Sequence, residues 1–185
     1  MNDPHPLVVV RPQGLYCPAG DFYIDPWRRV DRAVITHAHA DHARRGHGAY
    51  LGSAAGAAVL RARLGADITL QTLDWGQRLR IRDVTVSLHP AGHVRGSAQI
   101  RLEHAQGVWV VSGDYFCSGV GDVNPTCAAF EPVRCDTFIT ESTFGLPIYR
   151  WPAQDRVLQD IMAWWTANAA VGQASVLLAY SLGKA

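Results

Sequence analysis

The sequence predicts an α+β fold, with short strands gathered into packed sheets and helices on their outer faces. Three observations point there. Apolar and polar residues alternate in residues 78–88 and again in 98–112, the pattern of half-buried strands. A stripe at helical spacing runs through Val157, Leu158, Ile161, Met162 and Trp165. Of the 185 residues, 48% are hydrophobic and 18% charged, a composition that supports a packed core and not a disordered chain. That length is enough to bury a core without disulfides or a structural metal.

Taken in order, residues 7–10 form an apolar run halted by Pro12 and Gly14. Residues 15–17 and 21–24 flank Pro18-Ala19-Gly20 and read as a hairpin. Residues 33–36 make a short strand that leads directly into a histidine-rich loop. Ser53 is placed to cap a helix running to about Leu64, with Gly65 ending it. Strands follow at 68–70, 78–82, 84–88, 98–103 and 108–112. Their turns fall near Asp83 and around His104-Ala105-Gln106-Gly107, so antiparallel meanders with one buried face are expected. Residues 137–140 give another strand. Pro152 then opens a long helix that Gly172 ends. Its stripe, widened by Trp164, is assigned to core packing. Residues 175–179 read as a last apolar strand.

Seventeen basic against 16 acidic residues leave a net charge of +1. A generally basic coat for nucleic acid is excluded, while a local basic groove is not. No apolar run approaches the roughly 18 residues needed to span a bilayer. Residues 1–5 lack the charged and apolar regions of a signal peptide. A cytoplasmic protein with no membrane partner is expected. Cys17, Cys117, Cys127 and Cys135 form no C-x-x-C pair and are read as reduced, mostly buried thiols. Lys184 is the single lysine among the basic residues, a bias read first as genomic codon usage; arginine's planar fork also suits phosphate.

The chemistry concentrates in Thr36-His37-Ala38-His39-Ala40-Asp41-His42, an H-x-H-x-D-H pattern. With only 8 histidines and 13 aspartates in the chain, composition alone does not account for it. His37 and His39 lie two apart in a strand-like exit and start on one side. Asp41 and His42 sit where a helix begins and project at a different angle, so one loop can serve two adjacent metal positions. Imidazole with carboxylate suits Zn²⁺ best, with Mn²⁺ or Fe as alternatives. Two further candidates stand at strand exits: His93 in Pro90-Ala91-Gly92-His93, and Asp114 in Ser112-Gly113-Asp114. Each follows a glycine that lets the backbone turn sharply. Asp114 is a natural bridging carboxylate, one oxygen to each of two ions. A bridged pair of ions lowers the pKa of the water it holds.

The order H-x-H-x-D-H, then A-G-H, then S-G-D, resembles the metallo-β-lactamase fold, an αββα sandwich of metal-dependent hydrolases. The resemblance implies two Zn²⁺: a first held by His37, His39 and His93, a second by Asp41, His42 and a later histidine, with Asp114 between them. Asp25, in Tyr23-Ile24-Asp25-Pro26, resembles the early aspartate that buttresses the metal loop, with Asp21 and Asp31 as nearby alternatives. Ala91-Gly92-His93-Val94-Arg95-Gly96-Ser97-Ala98 is similar to the A-G-H-x-x-G-[SA] stretch of the β-CASP nucleases. Thr140-Glu141-Ser142-Thr143-Phe144-Gly145 resembles their acidic motif, and Tyr180-Ser181-Leu182-Gly183-Lys184-Ala185 the start of their inserted domain. Residues 14–26, GLYCPAGDFYIDP, look most like the bacterial ligase-associated DNA exonucleases, which are grouped with an ATP-dependent DNA ligase and a helicase.

This resemblance divides the chain into residues 1–150, a hydrolase domain, and 151–185, the start of a β-CASP insert. It implies metal-dependent phosphodiester hydrolysis by a DNA exonuclease acting in repair, with DNA ahead of RNA as substrate. An RNA-processing β-CASP nuclease and a small-molecule metallo-hydrolase are the alternatives. Asp41 is expected to act in catalysis while ligating, and Glu141 and Asp25 to hold the network around the metals. Arg95 and Arg44, with Arg45, are expected against backbone phosphates. His5, His47, His89 and His104 are read as surface residues. The family needs a late histidine for the second metal and another within the insert, whereas the last histidine here is His104. The expectation is therefore an incomplete sandwich from a longer protein. Its first metal site should survive better than its second, with weak or no activity alone.

Overall fold

The computed structural model describes residues 6–117, 126–179 and 182–183. The chain divides into two compact units, Met1–Glu141 and Ser142–Ala185. The first unit is α+β and built on two mixed sheets. One sheet has the strand order β1-β2-β3-β4-β5-β6: β1 (Val9–Arg11), β2 (Gly14–Cys17), β3 (Phe22–Ile24), β4 (Arg32–Val34), β5 (Ala49–Ser53) and β6 (Leu70–Leu73). The other has the order β11-β10-β9-β8-β7: β7 (Leu79–Ile81), β8 (Val84–Pro90), β9 (Ala98–His104), β10 (Gly107–Val111) and β11 (Thr137–Ile139).

The alternating segments pair as expected. β7, β8, β9 and β10 form an antiparallel meander, with Val86 opposite Leu102 and Leu88 opposite Ile100. β1, β2 and β3 are also antiparallel. The strand expected at residues 68–70 is β6, shifted to Leu70–Leu73 and outside the meander: it pairs parallel to β5, as β3 pairs with β4 and β4 with β5. Parallel neighbours need a crossover between them. Here the crossover from β4 to β5 is the histidine-rich loop itself, and that from β5 to β6 carries the first helix. β5 has no signal in the sequence. It runs Ala-Tyr-Leu-Gly-Ser, poor in β-branched residues, yet four of its five residues are buried.

Ser53 ends β5 and caps the helical segment as its sequence suggests. Its Oγ accepts the Gly56 N–H at 3.1 Å. A 3₁₀ turn, Ala54–Gly56, leads into α1 (Ala57–Leu64), which Gly65 ends at φ +118°. Both sheets feed one core. Phe22, Ile24, Val34, Leu51 and Leu73 come from the first, and Val84, Val86, Leu88, Ile100 and Leu102 from the second. Period-two spacing on β8 and β9 turns these side chains to one face. Beyond the core, Glu103 takes a forked bond from Arg78 (2.9 and 3.0 Å) and a third from Arg101 (2.5 Å). These bonds lower its carboxyl pKa to about 2. Cys17 and Cys127 are buried, Cys135 is half-buried and Cys117 exposed, all as free thiols, so fewer are buried than composition suggests.

In the second unit α2 spans Gln154–Ala170, two residues after Pro152. None of its residues is buried. Val157, Leu158, Met162, Trp164 and Trp165 are exposed, so the stripe does not enter a core as expected. Residues 173–179 form no strand, and Val176, Leu177 and Leu178 are exposed. A strand needs a ladder, and unit two offers none among the described residues. Phe144 instead packs edge-on against Tyr149 and Trp151, with centroids 5.1 and 4.8 Å away. Of the final block that resembles a β-CASP opening, Tyr180, Ser181, Lys184 and Ala185 lie outside the described residues. No helix among the described residues is long and apolar enough to cross a membrane.

Candidate metal centre

The centre is built where three strands end. β4 of the first sheet delivers Thr36 to His42; β8 of the second delivers His93; β10 delivers Asp114. The two sheets are tied together at this point, because the Ala98 N–H donates to the Thr36 carbonyl at 2.8 Å. Gly113 turns the chain toward Asp114 at φ +57°. A Cβ there would lie 2.6 Å from the Thr36 Cβ, so only glycine brings Asp114 this close to the loop.

His37, His39, His93 and Asp114 converge. One ligand atom from each lies within 4.8 Å of the others, and the set could hold a metal ion. His37 Nε2 and His93 Nε2 lie 2.9 and 3.2 Å from His39 Nδ1. Asp114 Oδ2 is 3.7 Å from His37 Nε2 and 3.5 Å from His93 Nε2. The other oxygen of the same carboxylate faces elsewhere: Oδ1 is 3.2 Å from His42 Nε2. Asp41 Oδ2 stands 3.6 Å from that nitrogen, with its side chain 75% exposed. Two donor sets thus meet at Asp114.

Asp25 orients both sets. It sits at φ +42°, a conformation few non-glycine residues adopt. Its Oδ1 accepts the Thr36 N–H at 2.8 Å. Its Oδ2 accepts the Thr36 hydroxyl at 2.5 Å and lies 2.7 Å from His42 Nδ1. The Thr36 hydroxyl, committed as donor to Asp25, is left to accept from His37 Nδ1 at 3.1 Å. Both imidazoles are thereby fixed with Nε2 toward Asp114, as ligating histidines usually are. Thr36 was not singled out from sequence; its one signal is its place beside the histidine pair. Ser97, the last position of the A-G-H-x-x-G-[SA] stretch, holds the other ligand loop, its Oγ accepting the His93 and Val94 amides at 3.0 and 3.2 Å.

Burial, reinforced by neighbouring His42, lowers the His37 pKa to about 2. Burial acts the same way on His42, but hydrogen bonds to Asp114 and Asp25 outweigh it and raise that pKa to about 10. Burial would raise Asp114; its bond to His42 and the charges of His42, His37 and His93 prevail and lower it to about 2.

An open cleft of about 270 Å³ beside the centre is lined by Asp25, Asp41, His42, Asp114 and Glu141 among others. Glu141 Oε1 accepts the Tyr115 N–H at 3.2 Å, and its own N–H reaches Ser112 Oγ at 3.4 Å, which ties β11's exit to β10's. Arg95 and Arg44 are exposed on the loops that carry His93 and His42. His47 is not at the surface as expected. It is buried, with Nδ1 accepting the Val30 amide at 3.3 Å and its ring against Tyr50. The Tyr50 hydroxyl draws that loop in by bonding the Arg44 carbonyl and the His47 amide, each at 3.0 Å.

No protein-family model matches the chain. Over 173 residues, 92% of its length, it is 38% identical to a protein of Opitutus terrae named a probable DNA ligase, of which the match covers 16%. Over 97 residues, 49% of its length, it is 32% identical to transcription termination factor FttA of Pyrococcus abyssi, covering 15% of that protein. The chain spans about a sixth of the length of the curated relatives it matches. A solved structure of a protein of unknown function from Enterococcus faecalis V583 resembles it at a TM-score of 0.50 and 12% identity. That match covers 74% of this chain and 39% of the other, and it speaks to fold alone.

Proposed function

We propose that this chain carries the metal centre of a nuclease of metallo-β-lactamase fold, hydrolysing phosphodiester bonds in nucleic acid. The observation that carries this reading is the Asp114 carboxylate, whose two oxygens face two different donor sets. His37, His39, His93 and Asp114 Oδ2 would hold one ion, and His42, Asp41 and Asp114 Oδ1 a second. Three imidazoles and a carboxylate fit Zn²⁺, with Mn²⁺ or Fe as alternatives. A divalent cation supplies positive charge for phosphate oxygens and lowers the pKa of water toward neutrality.

The chain's own groups do the rest. Asp25 and Thr36 hold the imidazoles in their working tautomers. Asp41, at the rim, accepts a proton from water entering the cleft. Glu141, in the cleft wall, fixes the Tyr115 amide. Arg95 and Arg44 contact backbone phosphates. Residues 1–150 form the hydrolase domain of this reading and residues 151–185 the start of a β-CASP insert. The likeness to a protein named a DNA ligase favours DNA, and with it a cytoplasmic exonuclease working beside an ATP-dependent DNA ligase and a helicase in repair. The likeness to a transcription termination factor favours RNA as the second reading.

Two measurements test this. Bound zinc is quantified in the purified chain and two variants: His37→Ala loses first-site zinc and His104→Ala keeps it. Equal zinc in the two variants overturns the ligand set. End-labelled DNA and RNA of one sequence are then incubated side by side with the chain and Zn²⁺ or Mn²⁺. Slow cleavage that His37→Ala abolishes is expected; cleavage untouched by His37→Ala overturns the nuclease reading for this centre.

A further inference from the structure

Arg28, Arg29, Arg44, Arg45 and Arg63 converge with Trp27 on an open cleft of about 550 Å³. They come from three separate stretches of the chain, before β4, after the histidine loop and from α1. No acidic side chain lines this cleft, and Ala40 and Ala43, either side of Asp41 and His42, form part of its wall. The cleft therefore shares the metal loop with the carboxylate-lined cleft, and Trp27 lines both.

Their clustering without carboxylates sets these arginines apart. Other close-set guanidiniums share a carboxylate: Arg32 and Arg82 close on Asp21 at 2.5 and 2.6 Å, and Arg78 and Arg101 on Glu103. Among the described residues none of the five cleft arginines pairs with a carboxylate. Arg45 is positioned instead by donating its Nε–H to the Arg63 carbonyl at 3.1 Å. Five like charges held together without partners repel one another, and an anion with several bidentate acceptors relieves that repulsion. Trp27 lies at the edge, 47% exposed, its Nε1–H anchored on the Pro12 carbonyl at 2.8 Å. An anchored, exposed indole beside guanidiniums is a stacking platform for a base.

We propose that this cleft binds the phosphodiester backbone of a single-stranded nucleic acid beside the metal loop, with a base stacked on Trp27. The proposal rests on the nuclease reading for its purpose, but not for its test. Binding of a fluorescein-labelled oligothymidylate and an oligouridylate is followed by anisotropy in EDTA, across a range of salt, with the full chain. Neither metal nor hydrolysis enters the signal. The triple variant Arg28→Gln/Arg29→Gln/Arg44→Gln should bind about tenfold more weakly. Its slope of log affinity against log salt should be smaller by about 2. Trp27→Ala should weaken binding about tenfold and leave the slope unchanged. The charge-matched control Arg78→Gln/Arg80→Gln/Arg82→Gln should retain both values. The oligonucleotide that binds tighter identifies DNA or RNA as the source of the backbone. No binding by the parent chain, or equal loss in the control triple, overturns the cleft. Intact cleft binding with no effect of His37→Ala on cleavage would instead overturn the nuclease reading and leave the cleft standing.

Discussion

The two compact units carry apolar patterns of similar regularity, and only one of them buries its pattern. In the first unit, Val86 and Leu88 of β8 and Ile100 and Leu102 of β9 enter a core filled from the opposite sheet. In the second, the stripe of α2 leaves Leu158, Met162 and Trp165 exposed. Periodicity determines which side of an element is apolar. Whether a second layer exists to cover that side is a property of the whole fold, and the stripe itself is silent on it.

The largest expected difference comes from truncating each pattern. Ile100→Ala should cost about 3 kcal/mol in urea unfolding, from lost transfer energy and the cavity left behind. Leu158→Ala or Met162→Ala should change stability by no more than about 0.5 kcal/mol. Equal losses would break the comparison. The next effect sharpens it within the first unit. Asp25→Asn keeps the shape but weakens the acceptor shared by Thr36 and His42, and zinc affinity by competition titration should fall about 10- to 100-fold. An unchanged affinity would mean that the ligands hold their geometry without it. The smallest effect lies on the unit's outer surface. The Glu103 carboxyl is held low by Arg78 and Arg101, so its stabilisation is full above the ordinary carboxylate range and is lost as pH falls toward about 2. Glu103→Gln should be slightly less stable than the parent at neutral pH and equal to it at the acid end of a pH-dependent melting series.

Legibility from sequence followed locality. The His37–His42 segment, the β7–β10 meander and the Ser53 and Gly65 caps each depend on residues within a few positions of one another. The parallel half of the first sheet does not, since its pairing is decided by crossovers and not by alternation. β5 was invisible because two-sided burial of Tyr50, Leu51 and Gly52 leaves no alternation to read. The Thr36 relay was missed because a threonine at a strand end reads as strand propensity. The arginine cleft is assembled from three segments; two follow recognisable motifs, residues 14–26 and 37–42, and the third, α1, carries none. His47 looked like a surface residue because nothing local announces that Tyr50 will draw its loop inward.

The meeting of His39 with His93, 54 positions apart in the chain, also sets an order of events in time. Residues 37–42 precede the whole second sheet in the chain and form a local group of donors before that sheet exists. The compact four-residue set appears only when β8, β9 and β10 have paired and docked, a step that waits on distant contacts and is slower than closing a loop. A cation captured by the nascent segment would be held by fewer donors than the finished protein provides. On the proposed metal reading, tight retention of an ion would therefore mark the docking of the two sheets. The rate at which a refolding chain becomes resistant to a chelator should track sheet docking and lag behind the first appearance of β-structure.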